Sequence, residues 1–181
     1  MSKDTALLIV DVQAGVVDWS EPTSEGSDEV LSRINELLTK ARAAGSPVIY
    51  VQHEGEAGGR LARGSTGWQI HTAIAPAAGE TVIHKRASDS FYETSLEEEL
   101  RQRGIRHLVV TGCRTQYCVD ATCRSAVSHG YDVTLAADAH MTVDTATLKA
   151  SQIIAHHNET LDDFGNDRHV VTVKESRAID F

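Results

Sequence analysis

The chain has 181 residues, 41% hydrophobic and 24% charged, which suits one well-cored domain and is short for two. Its 17 Lys and Arg stand against 26 Asp and Glu, a net charge of −9 with no basic run, which excludes nucleic acid as an expected partner. The longest apolar stretch, Ala6–Val10, is far below the ~20 residues of a membrane span, and the N-terminus lacks the basic start and cleavage site of a signal peptide, so no membrane partner and a cytoplasmic location are expected.

The first element is the run Ala6–Val12, apolar but for Asp11, as befits a strand buried on both faces. Val30, Ile34, Leu37, Leu38 and Ala41 recur at helical steps until Gly45 and Pro47 stop them, giving a helix of about five turns. Strands follow at Val48–Val51 and Thr81–His84, then a helix over Leu96–Arg103 ended by Gly104, and a fourth strand at His107–Thr111. Gln116–His129 is predicted helical up to Gly130. Val133–Ala136 and Val170–Val173 supply the last two strands, with a helix over Ala146–His157 between them. Strands that alternate with helices in this way predict an α/β fold, a three-layer α/β/α domain with a six-stranded parallel sheet, because parallel strands need crossover connections.

In such sheets function gathers beyond the carboxyl ends of the strands. Asp11 closes the first strand, Lys85 follows the third, and Cys118 opens the helix after the fourth, so an acid, a cation and a nucleophile converge on one edge. A carboxylate there is either solvated in a cleft, bonded to a partner, or capping the next turn. Lys85 alone would read as a solvated surface charge, and Cys118 alone as a small buried hydrophobe. Together they suggest more: the helix dipole and Lys85 favour a thiolate, and Asp11 can accept the thiol proton. Thr115 and Gln116 precede the cysteine, so backbone N–H groups of that loop can point at a developing oxyanion, while Gly112 permits a tight exit from the strand. Cys113 and Cys123 are assigned to packing; the spacing leaves Cys113 open as a redox partner, although its five-residue separation from Cys118 does not match Cys-x-x-Cys.

The segments LLIVDVQ at 7–13, HKRASDSFYET at 84–94 and VVTGCRTQYCVDATCRSA at 109–126 resemble, in order and spacing, the isochorismatase-like cysteine hydrolases, a family that includes nicotinamidases and carbamoylsarcosine amidases. The resemblance covers nearly the whole chain. It implies an Asp11–Lys85–Cys118 triad in which Asp11 takes the thiol proton, Lys85 stabilises the charged states, and Cys118 attacks a carbonyl to give a thioester that water then hydrolyses. It also implies a non-proline cis peptide between Arg114 and Thr115 that aims the Thr115 and Cys118 amides into an oxyanion hole. Members of the family assemble as homodimers or homotetramers, which is the expectation carried over here. In nicotinamidases an Asp-x-His pair helps bind a metal, but the matching residues are Val51-Gln52-His53, without the carboxylate. The adjacent His156 and His157 face different sides of a helix, so no metal and no other cofactor is expected. The segment His156-His157-Asn158-Glu159-Thr160-Leu161 resembles one in a subgroup that includes streptothricin hydrolase, which opens a lactam.

The expected function is therefore cysteine-dependent hydrolysis of a small amide, imide or lactam. Gln13, Trp19, His53, Phe91, Tyr92 and Tyr117 are taken as substrate-binding residues, with Trp68 and His140 on segments that can reach the cleft and Trp68 assigned to packing. The loop 53–67 is rich enough in glycine to serve as a lid or simply to be flexible. Two other classes are open. Cys118 and Arg124 fit the C-x5-R pattern of cysteine phosphatases, though Asp120 within it would repel a phosphate. A catalytically silent or redox-sensing small-molecule-binding module would use the same cleft.

Overall fold

The computed structural model describes residues 4–18 and 26–181. Strand β1 (Thr5–Val10) is buried along its whole length and lies at the middle of a six-stranded sheet. The other strands are β2 (Val48–His53), β3 (Thr81–Lys85), β4 (His107–Cys113), β5 (Asp132–Met141) and β6 (Val171–Lys174), ordered β3-β2-β1-β4-β5-β6. Every pairing is parallel. Alternation along β1 divides its side chains between two cores. Leu7 and Ile9 pack with Leu31, Ile34, Leu37, Leu38 and Ala41 of a long helix that precedes β2. Ala6, Leu8 and Val10 pack on the other face with Leu96, Leu100, Cys123, Ala126 and Leu161.

The expected three-layer α/β/α architecture is thus the one observed. The helices are a single turn α1 (Ala14–Val17), α2 (Ser27–Ala44), α3 (Leu96–Gln102), α4 (Asp120–Ser128) and α5 (Ala150–Leu161). Gly45 ends α2 in the left-handed conformation, its N–H returning to Ala41 and Arg42, as a helix C-terminus followed by Pro47 requires.

Strand β1 stops at Val10 where the sequence reading carried it to Val12, because the chain leaves the sheet at Asp11, and three further boundaries depart from that reading. The stretch predicted as one helix from Gln116 begins instead as a π-helical turn, Thr115–Val119, before α4 takes over. The helix predicted from Ala146 starts at Ala150, because Asp144 accepts the Ala150 N–H at 2.8 Å and the intervening residues form a turn closed by Thr145. Strand β5 runs five residues past Ala136 to Met141, with its register against β4 shifting between Val110 and Gly112. Its apolar pattern breaks at Asp138, whose carboxylate is spent on the N–H and hydroxyl of Ser176. The chain reverses its direction of winding between β1 and β4, so a crevice opens beyond their carboxyl ends, where ligands bind in open parallel sheets.

Candidate active site

The backbone leaves β1 through Asp11, a non-glycine residue at φ 52°, whose N–H is held by the Val51 carbonyl at 2.9 Å. That left-handed kink is sparsely populated for a residue with a Cβ, and it turns the chain out of the sheet at the crevice. Asp11 is 2% exposed, and its Oδ2 lies 2.7 Å from Nζ of Lys85, equally buried at the end of β3. Lys85 also donates to the carbonyls of Ala87 and Ser88, both at 2.9 Å, which hold its ammonium beside the Asp11 carboxylate. The loop that supplies these carbonyls is fastened to α4 by Ser90 with Thr122 and by Ser125 with Asp89. Asp11 and Cys118 both border a cavity of about 250 Å³, completed by Val16, His53, Leu61, Ser88, Cys113, Arg114 and Tyr117.

The environment sets the resting protonation states. Burial pushes the Asp11 carboxyl above the usual carboxylate range, against the opposing pull of Lys85 and of a hydrogen bond from Cys118. Burial, and then the Asp11 charge, push the Cys118 thiol up to about 11, with Lys85 acting the other way. The expected resting thiolate is therefore corrected: desolvation outweighs the dipole and the lysine, and at neutral pH the thiol keeps its proton. Cys118 needs a base, and the nearest is a carboxylate whose affinity for a proton has itself been raised. Burial lowers the His53 imidazole, so it faces the cavity neutral.

The turn carrying Cys118 is built from β4 outward. Gly112 sits at φ 130°, and a Cβ there would stand 2.0 Å from the Val10 carbonyl oxygen, so only glycine fits. The cis peptide falls at Cys113–Arg114 and not at Arg114–Thr115. The chain redirects at the last paired residue of β4, leaving Arg114 extended and Thr115 already the first residue of the π turn. Arg114 then accepts the N–H groups of Tyr117 and Val119 at 3.1 and 3.2 Å. Two side-chain ties secure this turn to β5: Thr115 Oγ1 lies 2.9 Å from His140 Nδ1, and Thr142 donates to Gln116 Oε1 at 2.6 Å.

The other sequence-predicted residues separate into those the crevice gathers and those it does not. His53 and Tyr117 line the cavity, Tyr117 at its exposed rim. Gln13 does not: its amide donates to the carbonyls of His53 and Trp68 and accepts the His53 N–H, so a fully buried side chain latches β1, β2 and the Trp68 loop together. Phe91 belongs to the core, stacked on His129 with centroids 4.7 Å apart and packed against Tyr131. Tyr92 is exposed beside Glu54, His84 and Arg86, on a separate depression. Trp19 lies outside the described residues. The loop 53–67 forms one wall of the crevice, with Gly67 accepting the Gly15 N–H at 2.8 Å and Leu61 reaching the cavity. Arg124 grips Asp120 through Nε at 3.0 Å and covers the Phe164 ring, so it is unavailable to cradle a phosphate with Cys118. Among the described residues no three His, Cys, Asp or Glu side chains gather as metal ligands, and no helix is long and apolar enough to cross a membrane.

Residues 5–158 match the family profile described as the isochorismatase domain. A streptothricin hydrolase of Streptomyces noursei is 40% identical over 139 residues, which cover 77% of this chain and 55% of that protein. A second streptothricin hydrolase of the same organism is covered over 50% of its length, so the chain spans about half the length of these relatives. A ureidoacrylate amidohydrolase of Caulobacter vibrioides is 31% identical over 172 residues, covering 76% of each. Among solved structures, an isochorismatase from Pseudomonas putida superposes with a TM-score of 0.88 at 32% identity, over 98% of this chain and 90% of that one.

Proposed function

Starting from the fact that the chain belongs to the isochorismatase family, we propose that it is a cysteine-dependent hydrolase of a small amide, imide or lactam. The single observation that carries this reading is the buried Asp11–Lys85 pair, 2.7 Å apart, with Asp11 bordering the same cavity as Cys118. A charged pair withdrawn from water costs several kcal/mol per ion by desolvation, a cost that a purely structural site would avoid with apolar residues. Two of the relatives are named a ureidoacrylate amidohydrolase and a streptothricin hydrolase, in keeping with C–N cleavage.

In the first half-reaction Cys118 Sγ attacks the carbonyl carbon while Asp11 accepts the thiol proton. Lys85 keeps Asp11 charged enough to serve as base and offsets the negative charge as it moves through the site. The new oxyanion is assigned to the amides of Thr115 and Cys118, at the N-terminal end of the π turn, where helix N–H groups lack intrahelical partners. Collapse of the tetrahedral species breaks the C–N bond, and the departing nitrogen takes the proton held on Asp11. A thioester on Cys118 remains. Water then attacks it, giving its proton to Asp11, and the carboxylic acid leaves as the thiol reforms.

The cavity limits the substrate. About 250 Å³, walled by Val16 and Leu61 and rimmed by Tyr117, accommodates a small reacting group and leaves any larger part of the molecule outside. The test is a panel of small amides, cyclic imides and lactams, acid-quenched during turnover and mapped by peptide mass spectrometry. An acyl adduct on Cys118 alone is the expected result. Turnover with no adduct, unchanged in Cys118→Ala, would instead favour a binding module with an unrelated contaminating activity.

A further inference from the structure

The triad accounts for one side of Cys118, and a second buried polar chain approaches from the other. His140, on the extension of β5, is 1% exposed and bridges Thr115 Oγ1 at Nδ1 (2.9 Å) and Asn158 Oδ1 at Nε2 (2.8 Å). Asn158, on α5, donates through Nδ2 to the Ala137 carbonyl at 3.1 Å. That bond fixes which way its amide points. The oxygen facing His140 can only accept, so Nε2 carries the ring hydrogen. In the neutral ring Nδ1 is then a lone pair, and the Thr115 hydroxyl must donate to it. Every donor and acceptor in the chain Thr115–His140–Asn158–Ala137 has one direction.

We propose that His140 and Asn158 are positioning residues for acylation: a neutral imidazole of fixed tautomer holds Thr115, and with it the turn whose amides meet the oxyanion. This rests on the hydrolase reading above. The first residue of the nucleophile turn is the one the chain grips, and the gripping elements, β5 and α5, contribute nothing that touches the cavity among its lining residues. Burial holds the imidazole down to about 4, so it is neutral across the working range. The titratable groups that bear on it are His157 of α5, which also disfavours its charge, and Asp138 of its own strand, which favours it and is paired with Arg33 of α2 at 3.5 Å. A protonated His140 would present a second N–H to Thr115, so the bond would reverse: the hydroxyl oxygen would accept, and its own hydrogen would need another partner.

Two reactions of Cys118 separate this role from general structural support. Acylation by p-nitrophenyl acetate forms the C–S bond, expels p-nitrophenolate and sends the thiol proton to Asp11, through an oxyanion. Alkylation by iodoacetamide displaces iodide and develops no oxyanion. Their ratio cancels the thiolate fraction and isolates the turn. In the wild type the ratio is expected to be flat between about pH 5 and 8, where His140 does not titrate. Asn158→Asp places a carboxylate on Nε2 at the cost of the bond to Ala137, and charges the ring at higher pH, which reverses the bond to Thr115, so the ratio should change with pH through that range. Thr115→Val, nearly the same shape, should lower the ratio by about tenfold to a hundredfold at every pH. Where Asn158→Asp fails to fold, Thr115→Val decides. A wild-type ratio in Thr115→Val, or a flat profile in folded Asn158→Asp, overturns the proposal, as would a nitrogen-15 spectrum showing the Nδ1–H tautomer of His140. If Cys118→Ala still releases p-nitrophenolate at the wild-type rate, the failure belongs to the hydrolase reading.

Discussion

Two buried polar clusters flank Cys118, and they are built on opposite principles. On the β2 and β3 side, Asp11 and Lys85 face each other as a charged pair 2.7 Å apart. On the β5 side, Thr115, His140 and Asn158 form a neutral chain in which burial keeps the histidine unprotonated. When the thiol proton passes to Asp11 the negative charge moves to sulfur and stays within the site, where Lys85 still compensates it. A neutral, fully bonded chain resists every change of protonation and so holds geometry. The difference assigns proton transfer to one flank of the thiol and orientation to the other.

The strongest way to break that division is to remove what lies between its halves. Cys118→Ala should lower turnover by at least roughly 10⁴-fold with the thermal transition intact, read as kcat on whichever small amide the screen identifies. Retained turnover would leave both flanks without a catalytic purpose. Next in size, Asp11→Asn should cost about 10² to 10⁴ in kcat, the usual contribution of a positioned base. Phe91→Ala provides a contrast: it empties a core site stacked on His129, so unfolding should become easier by about 3–5 kcal/mol while kcat/KM of the folded enzyme stays within a few-fold.

A smaller effect sharpens the neutral flank. His140 sits near 4 in the folded state and near its ordinary 6.5 when unfolded. Between those values the unfolded chain binds the extra proton, so this residue makes stability rise with pH across that window and contributes a penalty at its acid end. Denaturant titrations of His140→Gln should show a shallower pH dependence there than the wild type, by up to about 1.4 kcal/mol per pH unit. The smallest expected effect is none: EDTA should leave turnover unchanged, and a reversible loss restored by a divalent metal would give His53 a ligand role.

Much of this was legible in the sequence. Asp11 follows a strand whose apolar run marks it as buried, and a polar residue closing such a run must find a partner or a cleft; Lys85 closes the third strand and gained its meaning only beside Asp11 and Cys118. Cys118 follows the strand on the far side of β1, where the crevice opens. Sequence patterns did not show where side chains turn after the strand. Gln13 lies two residues past Asp11 and reads as a cleft residue, yet its amide is consumed by the backbone groups of His53 and Trp68. Phe91 sits in a motif close to Lys85 but turns inward to His129 and Tyr131. The neutral flank stayed hidden because β5 continues through a register shift beyond Asp138, where the apolar pattern had ended. His140 was visible as a residue near the cleft. Its partnership with Asn158 depends on α5 docking against that extension, which no local pattern encodes.

The most direct test of the central claim, that Asp11 is the base for a thiol protonated at rest, is the pH dependence of Cys118 alkylation by iodoacetamide in the wild type and Asp11→Asn, followed by peptide mass spectrometry. Because burial and the Asp11 charge hold the thiol up to about 11, the wild-type rate should still be climbing beyond the pH of an ordinary thiol. Asp11→Asn removes one upward push and leaves Lys85, so its inflection should move to lower pH and its alkylation at neutral pH should quicken, although turnover is lost. Identical profiles for the two proteins, or a wild-type inflection below that of an ordinary thiol, would contradict the account.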